Sequence, residues 1–177
     1  MKKLEKKWMS LMKKQSLILA NFLIIFFFIN FSILKSEDLK SISGKAIIID
    51  GDTIKINGEK IRFGGIDAPE TKQICYLNSN KVFCGKISSE KLQEIIAENI
   101  VSCIRERNKD RYGRIIAECF IKDESISSNM VKNGYAFDYV RYSKKKYAKY
   151  QEYAKKNKLG IWKMKFEYPW LWRKKNK

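Results

Sequence analysis

The sequence contains no histidine, and this absence excludes several kinds of chemistry. Histidine is the usual general base near neutral pH, a member of many nucleophile triads and the commonest metal ligand. Catalysis through a histidine and most zinc sites are therefore excluded. The four cysteines lack the C-x-x-C spacing that is typical of zinc ligation, so a thiolate zinc site is not supported either.

Acidic residues are scarce as well. The 177 residues include 37 Lys plus Arg but only 19 Asp plus Glu, which gives a formal net charge of +18. Such an excess favours polyanionic partners, either nucleic acid or an anionic membrane surface. Hydrophobic residues make up 45% of the chain, enough to build the core of one domain, so wholesale disorder is excluded.

Four of the 19 acids lie in two short stretches, "DGDT" at 50–53 and "RFGGIDAPE" at 62–70. Asp-Gly and Asp-Ala-Pro are common turn sequences, so each stretch alone has a structural interpretation. Both occur at the ends of one predicted hairpin, in a strongly basic chain. This combination indicates a metal site that faces a polyanion.

The first 36 residues have a different character, because a basic segment precedes an apolar run from Ser16 to Leu34. This order is typical of an export signal, and the run is also just long enough to span a bilayer. A cleaved signal and an uncleaved anchor both remain open, and a buried helix of the fold is a third interpretation. We expect an exported protein that is periplasmic, secreted, or held at the inner membrane by residues 16–34. The leader carries a net charge of +6, so +12 belongs to residues 37–177.

The pattern of apolar residues predicts the secondary structure of the remainder. Asn57–Gly58 is a strong hairpin signal between two strands. We predict three strands over 44–66, an irregular loop over 72–85, a helix over 87–99, strands over 100–107 and 114–121, a short helix ending at Val131, and a lysine-rich helix over 143–158. This order indicates a mainly β fold with helices (α+β), built on a small closed barrel of the OB type.

The expected organisation has four parts. They are a signal peptide or membrane anchor over 1–36, a linker over 37–43, the OB-type domain over 44–163, and a basic aromatic C-terminal tail over 164–177.

The predicted hairpin brings two carboxylates together. If its register is symmetric about Asn57–Gly58, strand 53–57 lies against strand 60–64, and Asp52 and Asp67 come to the same open end. Two carboxylates and main-chain carbonyls form an oxygen-rich site suited to a hard cation such as Ca²⁺.

Three more side chains complete a catalytic set. Glu70 follows Pro69 on a rigid turn near the same end, where it can act as a base on a water molecule. Arg62 and Arg114 can hold a phosphodiester and neutralise the charge that develops on its oxygens. Taken alone, Arg62 would be read as a solvated strand residue.

The motifs "IDGDTIKI", "IRFGGIDAPE" and "DRYGR", in this order, resemble the staphylococcal nuclease (thermonuclease-like) family. The resemblance covers about Gly44 to Trp162. The four cysteines and the ending "GIW…F…PW…WR" are similar to an exported bacterial branch of that family. The resemblance implies a five-stranded OB barrel with three helices, in agreement with the predicted order.

The resemblance also assigns roles to individual residues. It implies calcium binding by the Asp52 and Asp67 carboxylates and the Ala68 carbonyl, general-base catalysis by Glu70, and binding of the scissile phosphate by Arg62 and Arg114. Substrate contacts are implied for Arg111, Tyr112 and Tyr142. Val140 departs from the aromatic residue of the family prototype, and Tyr139 is the candidate to replace it.

The implied function is calcium-dependent hydrolysis of phosphodiester bonds in DNA and RNA, with little sequence preference, by a monomer. The alternative is a non-catalytic nucleic-acid-binding module of the same fold, since such domains can lose their active residues. The joint presence of Arg62, Glu70 and Arg114 favours the enzyme. A third interpretation is a membrane-surface protein whose basic tail binds anionic lipid.

The cysteines predict a disulfide framework, because an even number in an exported chain is typical of paired thiols. Four cysteines allow three pairings. Cys103 and Cys119 are symmetric about residue 111, the centre of a predicted turn, and therefore should lie opposite each other. Cys75 and Cys84 then remain as the second pair. The alternative is four reduced, partly buried thiols.

Overall fold

The computed structural model describes Met12 and residues 41–176. The chain divides into two units, Met1–Lys40 and Ser41–Lys177. The predicted signal or anchor run lies outside the described residues. Among those residues, no helix has the length and apolarity needed to cross a membrane.

Eleven strands are present in residues 41–176. They are β1 Ser41–Gly44, β2 Ile47–Asp50, β3 Thr53–Ile56, β4 Glu59–Phe63, β5 Ile66–Asp67, β6 Ile74–Leu77, β7 Asn80–Phe83, β8 Val101–Lys109, β9 Ile115–Ile121, β10 Glu124–Ser125 and β11 Phe137–Asp138. The main sheet has the order β1-β8-β9-β4-β3-β2, with β10 paired to β9. The contact between β4 and β9 is parallel and the others are antiparallel.

The main sheet closes into a barrel. Its first and last members, β1 and β2, are separated only by Lys45 and Ala46, so they form one bent strand that pairs with β8 at one end and β3 at the other. Counted this way, the barrel has five strands. Its interior is filled by alternate side chains of β3 and β4, which are Ile54, Ile56, Ile61 and Phe63. The predicted mixed α+β, OB-type fold is confirmed.

Within residues 41–176, five helices and a 3₁₀ turn flank the barrel. They are α1 Cys84–Ile96, α2 Ile126–Lys132, α3 Val140–Ser143, α4 Ala148–Lys156, the 3₁₀ turn Gly160–Lys163, and α5 Pro169–Lys175. Helices α1, α2 and α4 correspond to the three helices of the prediction. Ser125 caps α2, because its hydroxyl accepts a hydrogen bond from the Ser128 amide at 3.0 Å.

Two segments differ from the sequence prediction near the N-terminal side of the domain. Residues 41–43, expected in the linker, belong to β1, because Ile42 is buried and the strand pairs with β8. The loop expected over 72–85 contains the β6–β7 hairpin. Its turn residues Asn78 and Ser79 both have positive φ angles, which is the conformation of a tight two-residue hairpin. The sequence did not predict this turn, because Asn78–Ser79 lacks the glycine of the usual two-residue hairpin signal.

The lysine-rich helix expected over 143–158 is interrupted. Helix α3 ends at Ser143, Lys144 and Lys145 adopt positive φ angles, and α4 begins at Ala148. Because of this break, the Tyr147 side chain lies in the core, where its hydroxyl donates a hydrogen bond to the Glu118 carboxylate at 2.5 Å. Burial of a large aromatic ring therefore outweighs helix propensity here.

Both predicted disulfides are confirmed. Cys103 pairs with Cys119, which lies directly opposite it on the neighbouring strand β9, and Cys75 pairs with Cys84. The second bond joins β6 to the first residue of α1. All four cysteines are buried, and the described residues contain no free cysteine.

Removing the Cys103–Cys119 bond should cost stability. The bond closes a loop of 16 residues, which is worth about 3 kcal/mol of unfolding free energy in the chain-entropy model. We expect a Cys103→Ala/Cys119→Ala double variant to lose about that amount in urea unfolding. The Cys75→Ala/Cys84→Ala variant is the matched comparison, and a loss near zero for the Cys103/Cys119 variant would contradict the expectation.

Candidate active site

The β3–β4 hairpin places the first two site residues. Asn57 and Gly58 both have positive φ angles, and the resulting register sets Thr53 opposite Arg62. Asp52 therefore lies at the start of β3, beside Arg62 in β4. The predicted symmetric register is confirmed.

The guanidinium group of Arg62 joins the two predicted metal-binding carboxylates. Its Nη1 donates a hydrogen bond to Oδ1 of Asp52, and its Nη2 donates one to Oδ1 of Asp67 at 2.9 Å. Both aspartates are buried, with 3% and 0% of their surfaces exposed. Burial alone would lower the pKa of Arg62, but Asp52 and Asp67 raise it above its ordinary value. Arg62 therefore stays charged between them.

The segment after β5 contributes the remaining oxygen donors. Asp67 ends β5, and the amide of buried Ala68 donates to Oδ2 of Asp52 at 2.9 Å. The predicted donor set, two carboxylates and the Ala68 carbonyl, is made only of oxygen, which suits a hard cation such as Ca²⁺. Within the described part of the chain, no three His, Cys, Asp or Glu side chains converge as a metal-binding group. A cation bound here would need the carbonyl or water to complete its coordination.

Helix α1 packs closely against both acidic segments because of two glycines. A Cβ on Gly51 would collide with the Ser88 side chain, and a Cβ on Gly85 would collide with the Glu70 carbonyl. Glu70 lies in the loop after β5 with its side chain 37% exposed. It is therefore held by its main chain while its carboxylate faces the site.

Arg114 reaches the same place from the β8–β9 turn. Its Nε donates to Oδ2 of Asp110 at 2.7 Å, and its Nη1 donates to the Thr53 hydroxyl at 3.2 Å. That hydroxyl donates to Oδ1 of Asp52 at 3.0 Å. Partial burial would raise the pKa of Asp110, but hydrogen bonds from Arg114 lower it. The anionic Asp110 thus fixes Arg114, whose Nη1 reaches Asp52 through the Thr53 hydroxyl.

The predicted substrate residues form two exposed groups. Tyr112 is 68% exposed, and the guanidinium carbons of Arg111 and Arg114 lie 4.8 and 5.5 Å from its ring centroid. Tyr142 is 62% exposed, with its ring centroid 5.0 Å from that of Tyr139. The ring of Tyr139 stacks on Trp170 at 5.3 Å. Of the pair Tyr139 and Tyr142, Tyr142 therefore has the ring that is more accessible for stacking.

Two charged residues of the site were missed from the sequence. Asp50 is mostly buried, and its Oδ1 accepts a hydrogen bond from the Asp52 amide at 2.9 Å. Arg173 comes from α5 and bonds to both Asp67 and Glu70. Asp50 stands in the motif "DGDT" and could have been noticed there. For Arg173, the sequence offered only the aromatic and basic composition of the tail.

Asp50 should make stability depend on pH. Burial, and then the charge of Asp52, raise the pKa of Asp50 to about 7. Between about pH 4 and pH 7 the folded chain therefore holds one proton more than the unfolded chain, and this contribution to stability falls as pH rises. It amounts to at most about 4 kcal/mol. In chelator, we expect Asp50→Asn to be more stable than the wild type at pH 7, with the difference shrinking toward pH 4.

Urea unfolding of both proteins at several pH values measures that difference. A constant difference over this range would show that Asp50 is an ordinary, ionised carboxylate. Asp123→Asn, at an exposed position on the β9–β10 turn, is the matched control and should show no such trend.

Comparison with known proteins gives one consistent family. The model of the staphylococcal nuclease homologue family matches residues 60–164. The chain is 35% identical to succinoglycan biosynthesis protein ExoI of Rhizobium meliloti over 72% of this chain and 68% of that protein. It is 32% identical to an uncharacterized endonuclease of Haemophilus influenzae, over 65% and 62% of the two chains.

A plant relative is longer. The chain is 30% identical to the staphylococcal-like nuclease CAN1 of Arabidopsis thaliana over 65% of its own length, and it spans only 33% of that protein. The family model covers more than half of this chain and includes Arg62, Asp67, Glu70 and Arg114. The chain belongs to the staphylococcal nuclease homologue family.

Proposed function

We propose that this protein is an exported, calcium-dependent nuclease that hydrolyses phosphodiester bonds of DNA and RNA with little sequence preference. Family membership, and relatives that carry the name nuclease or endonuclease, support hydrolase activity on nucleic acid. The observation that carries the proposal is the convergence of Asp52, Arg62, Asp67 and Glu70, with Arg114 linked to Asp52 through Thr53.

The residues of this site divide the reaction between them. Arg62 and Arg114 are fixed by carboxylates, and they place two cationic groups where the phosphate would bind. They hold the phosphodiester and stabilise the negative charge that grows on its oxygens as water attacks phosphorus. Glu70, partly exposed to solvent, accepts the proton of that water.

The cation would be held by Asp52, Asp67 and the Ala68 carbonyl. Bound there, Ca²⁺ supplies positive charge that polarises the phosphate and its attacking water. The three carboxylates of Asp52, Asp67 and Glu70 face the two guanidinium groups of Arg62 and Arg173, and this excess of acids supports the binding of a cation.

Substrate breadth follows from contacts that do not depend on base identity. The net +12 of residues 37–177 attracts any phosphate backbone. Tyr112 and Tyr142 offer exposed rings on which bases of any kind can stack.

Export is supported by two features of the chain. The basic and apolar order of the N-terminal segment is typical of a signal or an anchor. The four cysteines are paired as two disulfides, which persist in oxidising compartments. We propose that the protein acts in the periplasm or outside the cell, either free or held by an uncleaved N-terminal segment, as a monomer.

The proposed activity is tested by incubating the purified full chain with supercoiled plasmid DNA and with RNA. Both should be degraded in Ca²⁺ and left intact when a chelator is added. An intact plasmid after long incubation in Ca²⁺ would instead support the non-catalytic binding module.

Binding should depend steeply on salt and hardly on sequence. Each neutralised phosphate contributes a slope of about −0.9 to log K against log salt for duplex DNA. We expect a strongly negative slope for Glu70→Gln protein in chelator, with equal affinities for two duplexes of unrelated sequence. Fluorescence anisotropy measures both quantities, and a flat salt dependence would argue against a basic binding surface.

A further inference from the structure

The C-terminal helix α5 places the side chain of Arg173 in the candidate active site. The Nη1 of Arg173 donates to Oε1 of Glu70 at 2.7 Å and to Oδ1 of Asp67 at 3.0 Å. Its Nη2 donates to Oδ2 of Asp67 at 2.7 Å. One guanidinium group therefore spans the predicted base and a predicted metal-binding carboxylate, which are three residues apart in the chain.

Arg173 is held there by an anchored helix. Pro169 at the start of α5 is buried, and Trp170 stacks on Tyr168 at 4.6 Å and on Tyr139 at 5.3 Å. Tyr168 and Trp170 belong to a hydrophobic cluster that includes the Cys75–Cys84 disulfide. A seven-residue helix would not be stable by itself, so its position depends on this packing.

The approach to α5 is fixed by hydrogen bonds as well. Lys165 exchanges two main-chain hydrogen bonds with Tyr76, each of 2.9 Å. Buried Gln73 donates to the Glu167 carbonyl at 2.7 Å and accepts from the Glu70 amide at 3.2 Å. The same side chain thus ties the Glu70 loop to the segment that carries Arg173.

These contacts define what Arg173 can do for Glu70. Among the described residues, Arg173 is the one side chain that bonds to the Glu70 carboxylate, and it uses Oε1 alone. Oε2 is left available to a water molecule. Burial would lower the pKa of Arg173, but Asp67 and Glu70 raise it, so the guanidinium stays charged.

We propose that Arg173 is a positioning residue of this site, which holds the Glu70 carboxylate beside Asp67 with one oxygen free to take a proton from the attacking water. The inference rests on the proposed nuclease function. It adds the C-terminal helix to the reaction centre, since without Arg173 the half-exposed Glu70 side chain would sample several rotamers.

The test compares Arg173→Ala and Arg173→Lys with Lys174→Ala, which removes the same charge from an exposed position on the same helix. In full chains cutting a fluorescent oligonucleotide in Ca²⁺, Arg173→Ala should lower kcat about 10- to 100-fold with a smaller change in KM. The kcat of Arg173→Lys should lie between those of Arg173→Ala and the wild type, and the kcat of Lys174→Ala should equal that of the wild type. Added guanidinium at low millimolar concentration should partly restore Arg173→Ala but not Glu70→Gln.

Calcium binding supplies a readout that does not require activity. Because Arg173 shares Asp67 with the proposed cation, its removal should make Ca²⁺ binding about fivefold tighter in calorimetry. Slower cleavage together with tighter binding separates positioning from simple loss of structure, which would weaken both.

Several results would overturn the inference. Cleavage by Arg173→Ala at the wild-type rate would show that Arg173 is dispensable, and faster cleavage would show that the tail obstructs the site. Weaker Ca²⁺ binding, or slow cleavage without guanidinium rescue, would show a structural role. An inactive wild type would refute the proposed function itself, and the calcium titration would then still decide whether Arg173 shares Asp67 with the cation.

Discussion

Replacing Glu70 by glutamine is expected to lower kcat by about 10²- to 10⁴-fold while leaving the protein folded. Glutamine keeps the shape of the side chain, and its Oε1 can still accept the hydrogen bond from Nη1 of Arg173. It cannot, however, accept a proton from water. Glu70 is partly exposed in a loop, so the change should move the melting temperature little. Initial rates on a fluorescent oligonucleotide and thermal unfolding measure the two effects.

The matched control is Glu124→Gln, which makes the same chemical change at an exposed position in β10. Its activity should equal that of the wild type. If Glu70→Gln cleaves as fast as Glu124→Gln, the general base has been assigned wrongly.

Replacing Arg62 by alanine is expected to cost both activity and stability. Arg62 lies between two buried carboxylates, and its removal leaves them without their shared partner. Breaking a buried ion pair in this way typically costs about 3–5 kcal/mol. In chelator, urea unfolding of Arg62→Ala should show a loss of that size. Ca²⁺ should recover part of it by binding beside Asp52, which loses its Arg62 partner, while Asp67 keeps its contact with Arg173.

The control for Arg62 is Arg105→Ala. Arg105 pairs with Glu59 at 2.7 Å, and these side chains are 30% and 43% exposed, against 18% for Arg62 and 4% or less for its two carboxylate partners. Exposed pairs contribute about 0–1 kcal/mol, so this variant should unfold nearly as the wild type does. Equal losses for the two variants would mean that the Arg62 pairs are no stronger than a surface contact.

The parts of this structure that local sequence determines were predictable. Asn57–Gly58 sets the β3–β4 register, and that register alone brings Asp52 beside Arg62. The symmetric spacing of Cys103 and Cys119 also predicted their pairing, but the register of β8 on β9 shifts between Arg105 and Lys109, so the turn alone does not set that pairing. In the β3–β4 hairpin, a two-residue turn alone fixes which residues lie opposite each other.

The parts that depend on distant contacts were not predictable. We predicted a helix start at residue 87, but α1 begins three residues earlier at Cys84, which is disulfide-bonded to Cys75, so Ser88 does not lie at the helix N-terminus. Ser88 instead donates from within α1 to the Tyr135 carbonyl at 2.6 Å. Nothing within a few residues of Ser88 indicates that contact.

Arg173 shows the same limit within the site. It is separated from Glu70 by 103 residues, and its position depends on aromatic packing around Phe137. The sequence showed that the tail is aromatic and basic, but not which of its Lys and Arg side chains contacts Asp67 and Glu70.

Our proposal is that Asp52 and Asp67 bind the cation on which phosphodiester hydrolysis depends. Its most direct test is a Ca²⁺ titration of oligonucleotide cleavage by the wild type and by Asp67→Asn. We predict no cleavage by the wild type in chelator, a saturable rise with Ca²⁺, and a half-saturating concentration at least about tenfold higher for Asp67→Asn. Cleavage that persists in chelator, or identical calcium curves for the two proteins, would contradict the account.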